Sequence, residues 1–193
     1  MVAMMDITTL IHQCAPTVAP AIVEAIMRTE SGFNPLAVHI NGGVRLRSQP
    51  RTASQAAAWS QWLIDHGYSV DMGLMQINSR NLPSLRLTTA DAFEPCQNIK
   101  AGAAILTAGY GWSVRTSGAG SRALLQAISA YNTGTLEGGF RNGYVGKVVM
   151  RMPGNRPAAV TDLTCLLTNC ATRPSPTPYT ADSAVPGFAG GAP

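Results

Sequence analysis

Charge is scarce in this 193-residue chain: Asp, Glu, Lys and Arg make up 12% of it, against about 25% in an ordinary globular protein. Aromatic residues are thin too, at 6%. Neither shortage makes the chain disordered throughout, because 46% of it is hydrophobic and can build a core. Long apolar runs are missing. The best, residues 18–27, is interrupted by Glu24 and falls short of the ~18 residues that cross a bilayer, so an integral membrane segment is excluded. Basic runs are missing as well: only Lys100 and Lys147 are lysines, and the arginines are scattered. No nucleic-acid partner is expected from that pattern. The net charge of +4 suits attraction to an anionic polymer such as a bacterial wall, and serves solubility equally well. There is no CxxC pair and only His12, His39 and His66, which argues against zinc. P-loop and nucleophile-elbow patterns are absent, excluding those two chemistries. No metal or cofactor is expected. The opening MVAMMDITTL shows neither the basic nor the long apolar region of a signal peptide.

What is present reads as a series of helices. Residues 6–14 suit a short helix with Asp6 as N-cap. Pro20 fits the first turn of a second helix over 21–30, and Gly32 fits its left-handed end. Asn41-Gly42-Gly43 predicts a hairpin within 36–47. Helices are expected over 54–66, 89–93, 96–110, 121–131 and 144–152, with loops over 71–78 and 133–142. From residue 153 the composition shifts, and five of the 13 prolines fall within 173–193, which predicts a flexible tail. The expected organisation is a mostly α domain over 1–152 with one small β hairpin, class α+β, followed by an extension over 153–193.

Four cysteines, at 14, 96, 165 and 170, permit three pairings that sequence does not choose among. Cys14 and Cys96 lie inside the folded part, each close to a proline and a helix. A bridge there would close a loop of about 82 residues, worth on the order of 4 kcal/mol in the chain-entropy model. It would also indicate an oxidising compartment. Four free thiols are the alternative.

Chemistry concentrates at three places. On the helix over 21–30, Val23, Ile26, Met27 and Glu30 fall on one face, so the Glu30 carboxyl extends an apolar stripe. An apolar wall and a helix C-terminus both disfavour the charged form and raise the pKa, as a general acid requires. Glu24 sits off the stripe, with Arg28 four residues on, and reads as a surface pair. The loop 71–78 interleaves the amides of Gln76 and Asn78 with apolar residues, which suits a neutral polar ligand such as an N-acetyl sugar. Tyr131 lies on the apolar face of the helix over 121–131 and needs a partner for its hydroxyl.

Taken together, Glu30-Ser31-Gly32-Phe33-Asn34-Pro35, Gly73-Leu74-Met75-Gln76-Ile77-Asn78 and Ala130-Tyr131-Asn132-Thr133-Gly134 resemble the lytic transglycosylases, relatives of goose-type lysozyme in the soluble lytic transglycosylase superfamily. Cys14-Ala15-Pro16, the Asn41-Gly42-Gly43 turn and Pro95-Cys96-Gln97-Asn98 are similar to the branch associated with type IV secretion. The resemblance implies a lysozyme-like fold and cleavage of peptidoglycan glycan strands between N-acetylmuramic acid and N-acetylglucosamine. It makes Glu30 the acid that protonates the glycosidic oxygen and then takes the proton of the muramic 6-hydroxyl, closing a 1,6-anhydro ring. It implies that Tyr131 orients the Glu30 carboxyl, that Ser31, Gln76 and Asn132 lie along the substrate, and that Met75 forms an apolar wall under the sugar. Secretion-system components are the implied partners, and the periplasm or cell-wall space the implied site.

Two other readings compete. A muramidase on the same fold would need a second carboxylate, for which Asp71 is the candidate. A non-catalytic wall-binding module would keep the fold and release no fragments.

Overall fold

The computed structural model describes residues 6–153. The expected flexible tail, and Cys165 and Cys170 with it, lie outside the described residues. Helix α1 (Ile7–Cys14) leads through a turn into α2 (Pro20–Glu30), which starts at its proline as expected. Asp6 stands at the N-cap of α1, but its side chain makes no capping hydrogen bond. Val23, Ile26 and Met27 of α2 are fully buried, each such side chain contributing about 1.5–3 kcal/mol. Gly32 and Phe33 then both take positive φ, 60° and 67°, and reverse the chain. Only glycine adopts this backbone without strain.

The sheet departs from the expected local hairpin. Strand β1 (Val38–Ile40) pairs antiparallel with the distant β2 (Val70–Met72), which pairs with β3 (Ile77–Asn78). The turn at Asn41-Gly42-Gly43 does form, with φ of 94° and 85° at the two glycines. No strand returns from it because Gln49 takes that place. Its side-chain amide accepts from Val38 N at 2.8 Å and donates to Val38 O at 3.0 Å, imitating a strand partner at the free edge of β1. The hairpin is instead the segment 71–78, expected as a loop.

Helix α3 (Ala53–Asp65), capped by Thr52, connects β1 to β2. Beyond β3 come the short α4 (Leu82–Leu85), a 3₁₀ turn at Asp91–Phe93, and the long α5 (Pro95–Ser117). Helix α5 outruns the expected end at residue 110 because Gly109 and Gly111 are absorbed within it; the backbone of α6 approaches at Gly109. Helices α6 (Ser121–Thr133), α7 (Gly138–Arg141) and α8 (Tyr144–Met150) complete the domain, α7 lying in the stretch expected as loop. Cys14 and Cys96 are joined by a disulfide that ties the end of α1 to the first turn of α5. Among the described residues no helix is long and apolar enough to cross a membrane.

Period-two alternation gives the sheet two chemically different faces. Val38, Ile40, Val70, Met72 and Ile77 are buried in the core. The alternate residues form a cross-strand row: His39 is opposite Asp71, and Asp71 is opposite Asn78. His39, Asp71 and Asn78 share one groove with Glu30, the last residue of α2.

Candidate active site

A groove of about 640 Å³ runs between the sheet and the helices, and Glu30, Asp71, Gln76, Tyr131 and Asn132 all line it. Glu30 enters from the last residue of α2. Its Oε1 accepts the hydroxyl hydrogen of Tyr144. Burial dominates its electrostatics and raises the pKa from 4.5 to about 7. The Tyr144 hydrogen bond works the other way, favouring the carboxylate, while the negative charge of Asp71 adds to the rise. Near neutral pH the group therefore exists in both forms and can give a proton and take one back.

Tyr144 is the residue that sequence reasoning missed. It opens a short helix and is 7% exposed. Periodicity offers no signal for it, since its partner is 114 positions away in the chain. Tyr131 does not orient the Glu30 carboxyl as expected. Its hydroxyl donates instead to Met75 O at 2.7 Å. Burial raises the pKa of both phenols, and the neighbouring negative charge of Glu30 raises it further, so both stay protonated donors.

Met75 also differs from expectation. Its side chain is fully buried and packs against Gly102 of α5, where an added Cβ would collide with it, so it supplies no exposed wall to a sugar. Its peptide group is what matters. Met75 N donates to Asn98 Oδ1 at 2.7 Å, and Met75 O accepts from Tyr131. Asn98, 1% exposed, also donates to Met72 O and Ala92 O, at 2.9 and 2.6 Å. The close approach of Asn98 explains Gly73, whose φ is 74° and whose absent Cβ would overlap it. These contacts hold Gln76 at a φ of 49°. The Gln76 amide donates to Gly73 O at 2.9 Å and Ala37 O at 3.2 Å, leaving its oxygen available to accept from a ligand N–H or O–H.

Ser31 hydroxyl reaches Leu74 O at 2.8 Å and Met27 O at 3.2 Å, joining the Glu30 turn to the 73–76 loop while lining the groove. Asn132 also lines the groove, and its Oδ1 accepts from Asn142 at 2.9 Å. Asp71 accepts from Asn78 at 2.7 Å and Asn41 at 3.0 Å. Burial nonetheless raises its pKa, against those two hydrogen bonds and the positive pull of His39. Glu24 forms the expected surface pair with Arg28 at 2.9 Å. Among the described residues no cluster of His, Cys, Asp or Glu could hold a metal ion.

A helical domain with a small sheet closing a groove over a proton-sharing glutamate defines the lysozyme-like class. The family model for the transglycosylase SLT domain matches residues 9–148, and the chain belongs to that family. It is 41% identical over 152 residues to the type IV secretion system protein virB1 of Brucella abortus, covering 76% of this chain and 63% of the relative. It is 42% identical over 138 residues to protein virB1 of Agrobacterium fabrum, covering 71% and 55%. With protein virB1 of Rhizobium radiobacter it shares 42% over 150 residues, covering 77% and 62%. The chain thus spans less than two thirds of the length of these relatives. No solved structure matches it.

Proposed function

We propose that this chain is a peptidoglycan lytic transglycosylase, cutting glycan strands in the periplasm or cell-wall space to open the wall for a type IV secretion or conjugation apparatus. Membership in the SLT family and the likeness to virB1 proteins support the substrate and the setting. The carrying observation is the state of Glu30: a half-buried carboxyl with a pKa near 7, held by a phenol, in a groove lined with neutral amides.

Protonated Glu30 donates to the bridging oxygen as the bond to the muramic C1 breaks, freeing the N-acetylglucosamine hydroxyl. The carboxylate left behind takes the proton of the muramic 6-hydroxyl, whose oxygen then bonds C1. No water is consumed, and Glu30 ends protonated. Positive charge at C1 is carried meanwhile by the substrate's own acetamido group. Gln76 and Asn132 accept or donate along the strand, and Ser31 keeps the Glu30 turn in register with the Gln76 loop. Mass spectrometry of released muropeptides tests the proposal: anhydro ends, one water lighter than hydrolysed ones, are expected, and reducing ends overturn it.

One observation favours hydrolysis as the second reading. Asp71 stands in the same groove, close enough to raise the Glu30 pKa, with both oxygens hydrogen-bonded by amides. Paired carboxyls of unequal environment are the arrangement of hydrolytic glycosidases. Reducing-end products that vanish in Asp71→Asn would establish that reading.

A further inference from the structure

The segment between β1 and α3 is unused by the chemistry above. It leaves β1 at Asn41 and is fastened again at Gln49, and both of these residues line the groove. Three attachments fix its path. Asn41 donates to Asp71, Gln49 clasps the main chain of Val38, and Leu46 packs against the core. Between those anchors Val44, Arg45 and Arg47 are exposed, Val44 to 45%. Among the described residues neither arginine has an acidic partner; the ion pair present is Arg28–Glu24. Arg45 and Arg47 therefore make the 41–49 rim cationic, with an apolar tip at Val44, beside a groove in which neutral amides are the commonest lining side chains.

A glycan strand has no charge to match that rim. The stem peptide does: it hangs from the lactyl group of muramic acid, carries free carboxylates, and alternates them with alanine methyls. We propose that the 41–49 rim is a stem-peptide subsite, with Arg45 and Arg47 pairing peptide carboxylates and Val44 covering the alanine side chains. Arginine suits this task because its planar fork meets a carboxylate with two parallel hydrogen bonds. This rests on the peptidoglycan reading and adds what that reading leaves open, namely how the enzyme would distinguish peptide-bearing from bare strands.

The test compares glycan strands with stem peptides intact against the same strands stripped by an amidase. Binding is measured with Glu30→Gln, which cannot cleave, and turnover with the active chain. Each is repeated in an Arg45→Gln/Arg47→Gln background and in Arg115→Gln/Arg122→Gln, a charge-matched control at the α5–α6 end. Exposed ion pairs of this kind give about 1.4- to fivefold each, so with two pairs intact strands should bind roughly two- to twenty-five-fold tighter than stripped ones. That preference should shrink with salt. The rim variant should lose it while binding stripped strands unchanged, and the control should keep it. Equal losses on both strands, or in both double variants, would mean general polyanion attraction and overturn the proposal. If the preference holds but the active chain releases no fragments, the enzymatic reading fails and the subsite stands.

Discussion

Tyr131 spends its hydroxyl on the Met75 carbonyl, 2.7 Å away, and leaves Glu30 to Tyr144. The two tyrosines therefore separate by experiment. Tyr144→Phe removes a donor that favours the Glu30 carboxylate, so the alkaline limb of the pH–rate profile should move upward and turnover should fall. Tyr131→Phe leaves a buried carbonyl unpaired, costing about 1–3 kcal/mol. It should lower thermal stability and weaken glycan binding without displacing that limb upward. Paired pH–rate profiles and melting curves check both; an upward shift in Tyr131→Phe alone would reverse the assignment.

Glu30 also makes stability pH-dependent. Its folded pKa, about 7, lies above the ordinary 4.5, so the folded state holds a proton that the unfolded state has released between those values. Stability must then fall as pH rises across that window, by at most about 3.4 kcal/mol for a shift of this size. Glu30→Gln carries no titrating proton. It should lose about 10²–10⁴-fold in turnover, and should gain stability relative to the parent as pH rises from 4.5 to 7. Denaturant midpoints at several pH values measure the difference between the two chains. A constant difference would show that Glu30 is solvated.

How far such a site could be read from residues alone varies with the distance over which the signal acts. Glu30 was legible because the i, i+3, i+4, i+7 spacing with Val23, Ile26 and Met27 is a property of one helix. Gly32 announced its own left-handed turn. The pairing of β1 with β2 was not legible, because strand choice depends on what occupies the free edge, and Gln49 does so with a side chain rather than a strand. The resemblance gathered Gln76, Asn132 and Tyr131 to one groove. It misplaced the Tyr131 hydroxyl and the Met75 side chain, both of which are decided by packing of α5 and α6 behind the 73–76 loop.

Asp71 offers a third test. Its negative charge raises the Glu30 pKa, so Asp71→Asn should move the alkaline limb of the pH–rate profile downward. Under the lyase proposal the products keep their anhydro ends and turnover changes by severalfold at most. Under hydrolysis turnover collapses. The limb shift and the product mass come from one set of digests, so the two effects are read independently.

Asn98 ties the groove to the disulfide. It sits in the first turn of α5, just after Cys96, and holds Met72, Met75 and Ala92 through one buried amide. Asn98→Ala strands at least one buried backbone group, so stability should fall by about 1–3 kcal/mol. Because the Gln76 loop loses its support, KM for glycan should rise more than kcat falls. Reduction acts one step further out. Opening Cys14–Cys96 releases a loop with a sequence separation of 82 residues, which should cost on the order of 4 kcal/mol, while Asn98 keeps its three hydrogen bonds in the molecules that stay folded. Reduced protein held below its new melting temperature should therefore retain near-normal KM, unlike Asn98→Ala. A KM that rises on reduction as it does in Asn98→Ala would instead make the disulfide part of the groove's support.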